Sequence, residues 1–228
     1  MRVQGAGSSD WERKSLDGAF TASIDNLDRF NAIFDTTLQG SAMLTARLEG
    51  SADTSTAEAQ IVLSDVAFEE FSTSAIQINL SAEGGDWTDL FGTPTLLRLS
   101  GFSEAVQLRD QLQPRINFES EATLPNGEQL IVHAFSLDDL NTRIAVAGTV
   151  QFDPVAAQME ATVHSQRLSH IASLFDVSVD GDLNATVQLA SGDDEGSWIA
   201  SINSTVDELD GLPDGVAELV GNRVALNA

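Results

Sequence analysis

The feature that most constrains this chain is strict alternation of apolar and polar side chains over many short runs. Ala42, Leu44, Ala46 and Leu48 alternate with Met43, Thr45 and Arg47, and Ile76, Ile78 and Leu80 alternate with Gln77, Asn79 and Ser81. Ile144, Val146, Gly148, Val150 and Phe152 alternate with Ala145, Ala147, Thr149 and Gln151. A period of two puts each set on one face of an extended strand, so the runs predict half-buried antiparallel strands. The pattern recurs at Leu97 and Leu99; Ile116, Phe118, Ala122 and Leu124; Leu130, Val132 and Ala134; Val155, Ala157, Met159, Ala161 and Val163; Leu183, Ala185, Val187 and Leu189; and Ala200, Ile202 and Val206. Turn residues separate the runs at Glu83-Gly84-Gly85-Asp86, Pro125-Asn126-Gly127 and Gly192-Asp193-Asp194-Glu195-Gly196. Asn126-Gly127 predicts a tight hairpin whose two central residues take positive φ.

Helical spacing is scarce. Leu27, Phe30, Ile33 and Phe34 predict a short helix over Asn26 to Phe34, and Leu168, Ile171, Leu174 and Phe175 predict another over Leu168 to Phe175. Pro213 suits the first position of a third, ending at Val220. A shift of 141 residues lays Leu27 on Leu168, Phe34 on Phe175, Asp35 on Asp176, Gly40 on Gly181, Thr45 on Thr186, Leu48 on Leu189, Ala59 on Ala200 and Ile61 on Ile202. This suggests an internal repeat, about 26–68 and 167–209, and an extended array. Residues 1–16 are expected to form a flexible N-terminal segment, and 17–228 one elongated module.

Composition removes several functions. The 228 residues carry 35 Asp and Glu against 11 Lys and Arg, a formal charge of −24. Nucleic acid needs a basic face that releases counterions, and an anionic membrane surface needs a basic patch; neither fits this balance. No cysteine is present, which excludes disulfides, thiolate metal sites and thiol nucleophiles. Met1 to Ser9 has no apolar stretch of the kind a secretory signal needs, and no run approaches 18 apolar residues. The 42% of hydrophobic residues is enough for a folded chain.

Chemical motifs are equally sparse. His133, His164 and His170 are scattered, without the spacing of a metal site. Asp180, Asp182 and Asn184 hint at calcium, yet the glycine and glutamate positions of a calcium loop are not filled in register. No nucleophile elbow or phosphate-binding glycine loop occurs, so the reading is of a protein that is not an enzyme and needs no cofactor. Trp87 and Trp198 follow glycine-containing turns and leave open a carbohydrate-binding alternative.

Each strand offers one apolar row, and such a sheet hides one face only. A second sheet could cover that face, giving a structural or adhesive sandwich. The sheet could instead curl on itself and leave a groove. The inner residues are mostly Ala, Val, Ile and Leu, with 11 Phe and 3 Trp in the chain, which favours an under-filled groove. Its candidate lining is Ile76, Ile78, Leu80, Leu97, Leu99, Ile116, Phe118, Val132, Ile144, Val146, Val150, Val155, Met159, Val163, Leu183, Val187 and Ile202. The expected fold is therefore all-β, an elongated curled antiparallel sheet with a taco-like hydrophobic groove and two or three short helices.

Three segments resemble one known family. They are Leu168-Ser169-His170-Ile171-Ala172-Ser173-Leu174-Phe175 followed by Val179-Asp180-Gly181-Asp182-Leu183-Asn184-Ala185; Ile144 to Asp153; and Asp210-Gly211-Leu212-Pro213 leading into Leu219-Val220-Gly221. Over roughly 17–228 the chain is similar to the translocation and assembly module subunit TamB, within the AsmA-like family. The resemblance implies a periplasmic protein, anchored in the inner membrane when full-length, whose strands curl into a hydrophobic trough. It implies phospholipid acyl chains as cargo, transport towards the outer membrane or help in assembling outer-membrane proteins, and a TamA-type outer-membrane barrel as partner. This chain lacks the family's N-terminal membrane helix and ends inside a strand-like run (Val224, Leu226), so it is expected to be an internal fragment.

Overall fold

The computed structural model describes residues 1–10, 12, 15–31, 37–51, 53–69, 71–85, 93–108, 111–153, 155–169, 179–192, 197–211 and 223–227, of which 30, 108 and 111–114 are described by backbone alone. Thirteen strands follow one another: β1 Arg2–Asp10, β2 Ser15–Ile24, β3 Leu38–Gly50, β4 Ser55–Phe68, β5 Phe71–Gly84, β6 Thr95–Leu108, β7 Gln111–Asn126, β8 Gln129–Asp138, β9 Thr142–Phe152, β10 Val155–Ser165, β11 Asp180–Ser191, β12 Trp198–Asp210 and β13 Arg223–Asn227. They form one sheet in which hydrogen-bonded neighbours are neighbours in sequence. The registered pairs, from β1 to β7 and from β9 to β13, are antiparallel. Backbone contacts divide the chain into two units, Met1–His133 and Ala134–Ala228.

In the first unit the registers turn the alternation of single strands into continuous apolar rows. Phe20, Ala46, Ala59, Leu80 and Leu99 are successive partners across β2 to β6. Beside them run Leu48, Ala57, Ala82, Leu97 and Ala122. Two further rows are bulkier: Leu44, Ile61, Ile78, Gly101, Phe118 and Ala42, Leu63, Ile76, Ser103, Ile116. Residues between these positions face the other way and are mostly polar, with Met43, Val62 and Phe102 as apolar members of that face. Burial repeats the pattern along β3, where Leu44, Ala46 and Leu48 are half-buried while Thr45, Arg47 and Glu49 are exposed.

Glycine marks two kinds of position. On the apolar face Gly101 lies opposite Phe118, and a Cβ there would come within 2.6 and 2.9 Å of the Phe118 ring as well as striking the Gln77 carbonyl oxygen. The ring therefore occupies the space a side chain would take, a cross-strand cover for bare backbone. Gly40 and Gly181, brought together by the 141-residue shift, have φ of 116° and 148°, and each sits where the pairing register shifts. Both mark a β-bulge, where an extra residue bends the strand.

In the second unit Ile144, Val163 and Ala185 are partners in one row, and Val146, Ala161, Val187 and Ile202 in the next. Gly148, Met159, Leu189 and Ala200 form a third. The opposite face carries Arg143, His164, Asn184 and Thr205, then Thr162, Thr186 and Asn203.

Three local expectations change. Residues 2–10 form strand β1, paired along its whole length with β2, where a flexible segment was expected. Its Gly-Ala-Gly-Ser sequence offers no apolar alternation; backbone bonds to β2 supply the order. The expected helix over Asn26–Phe34 is, in its described part, a 3-10 turn at Leu27–Phe30. Asn26 Oδ1 caps it by accepting from the Asp28 N–H at 2.8 Å, the N-cap bond that satisfies a first-turn donor. Of the expected helix over Leu168 to Phe175, residues 168 and 169 are helical; 170–175, residues 32–36 and the expected helix at 213–220 lie outside the described residues. The hairpin at Asn126 is present but closed differently: Asn126 ends β7, and its Oδ1 accepts from the N–H groups of Glu128 and Gln129, both at 3.1 Å. Side-chain bonding thus does the work assigned to left-handed backbone.

Candidate functional site

The two alanine-rich rows of the first unit leave space that the bulkier rows fill. Their side chains border a cavity of about 830 Å³. Phe20, Ala46, Leu48, Ala57, Ala59, Leu80, Ala82, Leu97, Leu99 and Ala122 line it, together with Leu130 and Val132 from β8. The volume lies in the range of small-molecule sites, and the lining is almost wholly hydrocarbon. Ala46 beside Ala59, and Ala57 beside Ala82, provide the width. In a closed sandwich these positions would be buried; here Ala46, Ala57, Ala59, Leu97 and Leu99 are half-buried and Leu80 is 38% exposed. Among the described residues, the buried apolar side chains are Leu27, Val66, Val106 and Ala122.

Of the residues read from sequence as lining a groove, Leu80, Leu97, Leu99 and Val132 border this cavity. Ile76, Ile78, Ile116 and Phe118 share its face but lie in the two filled rows. Ile144, Val146, Val150, Val155, Met159, Val163, Leu183, Val187 and Ile202 share the apolar face of the second unit. That face is open to solvent at the strand ends, where Phe152, Val155 and Trp198 are 47, 75 and 49% exposed. Sequence reasoning left out Phe20 and the alanines of β4 and β5. The signal for β2 was present in the alternation of Gly18, Phe20, Ala22 and Ile24.

The reverse face of the first unit is held by polar ladders. Arg98 bridges two strands, with Glu83 and Glu121 both at 3.1 Å. Its hydrogen bond to Glu121, ahead of the other influences, pushes the guanidinium pKa upward. Arg115 lies 4.0 Å from the Phe102 ring centroid and reaches Glu104 at 3.4 Å. Gln60 and Gln77 both donate to Asn79 Oδ1, at 3.1 and 3.3 Å. Such exposed pairs are screened by solvent and mainly fix which side faces water.

The remaining candidates have structural partners. His133 and Thr123 lie 2.7 Å apart, as do His164 and Asn184. Asp180 Oδ1 accepts from the N–H groups of Ser169 at 3.1 Å and Gly181 at 3.0 Å. The Ser169 bond is the main cause holding its carboxyl below the usual range. Among the described residues no group of three or more His, Asp or Glu could hold a metal ion. His170 and Trp87 lie outside the described residues, and Trp198 stands opposite Ser191 at a strand end. No described helix is long and apolar enough to cross a membrane. Comparison with known proteins finds no matching family model, curated protein or solved structure.

Proposed function

We propose that the first unit is a curled, half-open trough that takes up lipid acyl chains along its apolar face. The observation that carries this reading is the 830 Å³ cavity, bordered by apolar side chains contributed from every strand between β2 and β8. A flat sheet would spread those strands over roughly 30 Å, at about 4.8 Å per step, so a single cavity touching all of them favours curvature. Each methylene moved from water into such a trough is worth about 0.8 kcal/mol. That gain resembles what the same methylene has in a bilayer, so uptake and release are nearly balanced, and a passive conduit needs this balance. No nucleotide or metal chemistry enters the mechanism. The role that fits is a segment of a periplasmic bridge moving phospholipid between inner and outer membranes, or aiding outer-membrane protein assembly. The compartment and the TamA-type barrel partner rest on the sequence resemblance.

The test is native mass spectrometry of the whole chain after exposure to phospholipid vesicles. The reading expects retained phospholipid, displaced by a competing acyl-chain probe. A chain that retains no lipid and binds no probe would overturn it.

A further inference from the structure

We propose that the trough recognises the ester linkage of acylated lipids, with the buried Ser55 hydroxyl as the donor that meets an ester carbonyl. The proposal rests on the acyl-chain reading above and concerns the flank where the apolar rows stop. Ala57, Ala82, Leu97 and Ala122 line the cavity. Two residues further along the same four strands stand Ser55, Gly84, Thr95 and Leu124. A step of two keeps them on the cavity's side of the sheet, about 7 Å away. Ser55 is the partner of Gly84, and Thr95 of Leu124. The row next to the cavity on the other flank carries Leu44, Ile61, Ile78 and Phe118, so of the two neighbouring rows only this one offers side-chain hydroxyls on the apolar face.

The two hydroxyls converge. A Cβ on Gly84 would lie 2.9 Å from Thr95 Oγ1 and 3.3 Å from Ser55 Oγ, so both oxygens overhang a bare α-carbon. Ser55 and Thr95 are only 4 and 7% exposed. Thr95 Oγ1 donates to the Thr93 carbonyl at 3.2 Å. Ser55 Oγ has no hydrogen-bond partner among the described residues. A buried donor without an acceptor is destabilising, so a ligand that brings an acceptor there gains the bond and removes the penalty. A lipid whose chain lies in the alanine-rich rows carries its first polar atoms, the ester oxygens, where the hydrocarbon lining ends. An ether-linked chain has the same hydrocarbon but no carbonyl oxygen. A site built around a hydrogen bond discriminates against the analogue that lacks its partner.

The experiment offers the whole chain vesicles holding equal amounts of diester and diether phosphatidylcholine of identical chain length, then measures the retained lipids by mass spectrometry. The expected result is enrichment of the ester lipid by about fivefold, the effect of one hydrogen bond between neutral groups. Ser55→Ala should bring the ratio to unity while still retaining lipid, and Ser55→Thr, which keeps a hydroxyl, should preserve the enrichment. Because Ser55→Ala deletes an unpaired buried group, its urea midpoint should be no lower than the parent's, which separates a lost contact from a damaged fold. Equal retention of the two lipids by the parent, or undiminished enrichment by Ser55→Ala, would overturn the proposal while leaving the trough standing. Retention of neither lipid would instead remove the trough reading itself.

Discussion

Filling the trough from within is the perturbation that separates an open groove from a packed core. Ala59 lies in the centre of the alanine-rich rows, between Ala46 and Leu80, and is half-buried. A Phe at this position projects a ring into the 830 Å³ cavity. A fully covered Phe buries about 150–250 Å². Against one wall of an open trough it covers on the order of 100 Å², worth about 2.5 kcal/mol at 25 cal/mol per Å². Unfolded chains already hide part of that area, and ordering the ring costs about 0.5–1 kcal/mol. The net expectation is a gain of about 1 kcal/mol, with sheet propensity acting in the same direction. In a filled core the same ring would cost about 1–3 kcal/mol through overpacking. Urea denaturation gives the sign, and displacement of chain-labelled phosphatidylethanolamine gives the function. Ala59→Phe should be at least as stable as the parent and should lose most lipid binding. A destabilised variant that binds lipid as before would refute the reasoning.

Other expectations follow from the same geometry. Gly101→Ala sets a Cβ against the Gln77 carbonyl oxygen and the Phe118 ring, and backbone cannot rotate away as a side chain can. It should cost at least about 2 kcal/mol by denaturant unfolding, and a change below about 0.5 kcal/mol would contradict the close approach. Asp180 has a folded pKa below its unfolded value, chiefly because the Ser169 N–H donates to it. Its contribution is therefore complete above the unfolded pKa and is lost as pH falls through the folded one. Asp180→Asn should be less stable than the parent at neutral pH and should converge with it in acid; a constant difference between the two pH profiles would exclude this role.

The sheet itself was legible in the sequence because its strands advertise their own faces. Ala42 to Leu48, Ile76 to Leu80 and Ile144 to Phe152 each alternate without a break, and the registers place their apolar members in shared rows. Strand β1 was not legible, since Gly5, Ala6, Gly7 and Ser8 carry no contrast between faces and are ordered by backbone bonding to β2. The position of the cavity was not legible either. It depends on Ala46 standing beside Ala59 and Ala57 beside Ala82, pairings that exist only once three strands are in register. Reading single strands picks out the large residues, Ile76, Ile78 and Phe118, and these fill their rows instead of lining space. The Asn126 hairpin shows a similar limit: the turn was evident from Asn-Gly, but the asparagine acts through its side chain.

The central claim is that the apolar face of the first unit, and not its polar face, meets acyl chains. Photo-crosslinking residues placed one at a time at Leu97 and Leu99, and at Asn79 and Ser100 on the reverse side, test it most directly. After exposure of the whole chain to phospholipid vesicles, the account predicts lipid adducts at Leu97 and Leu99 and none at Asn79 or Ser100. Adducts of equal yield on both faces, or none at Leu97 and Leu99, would contradict it.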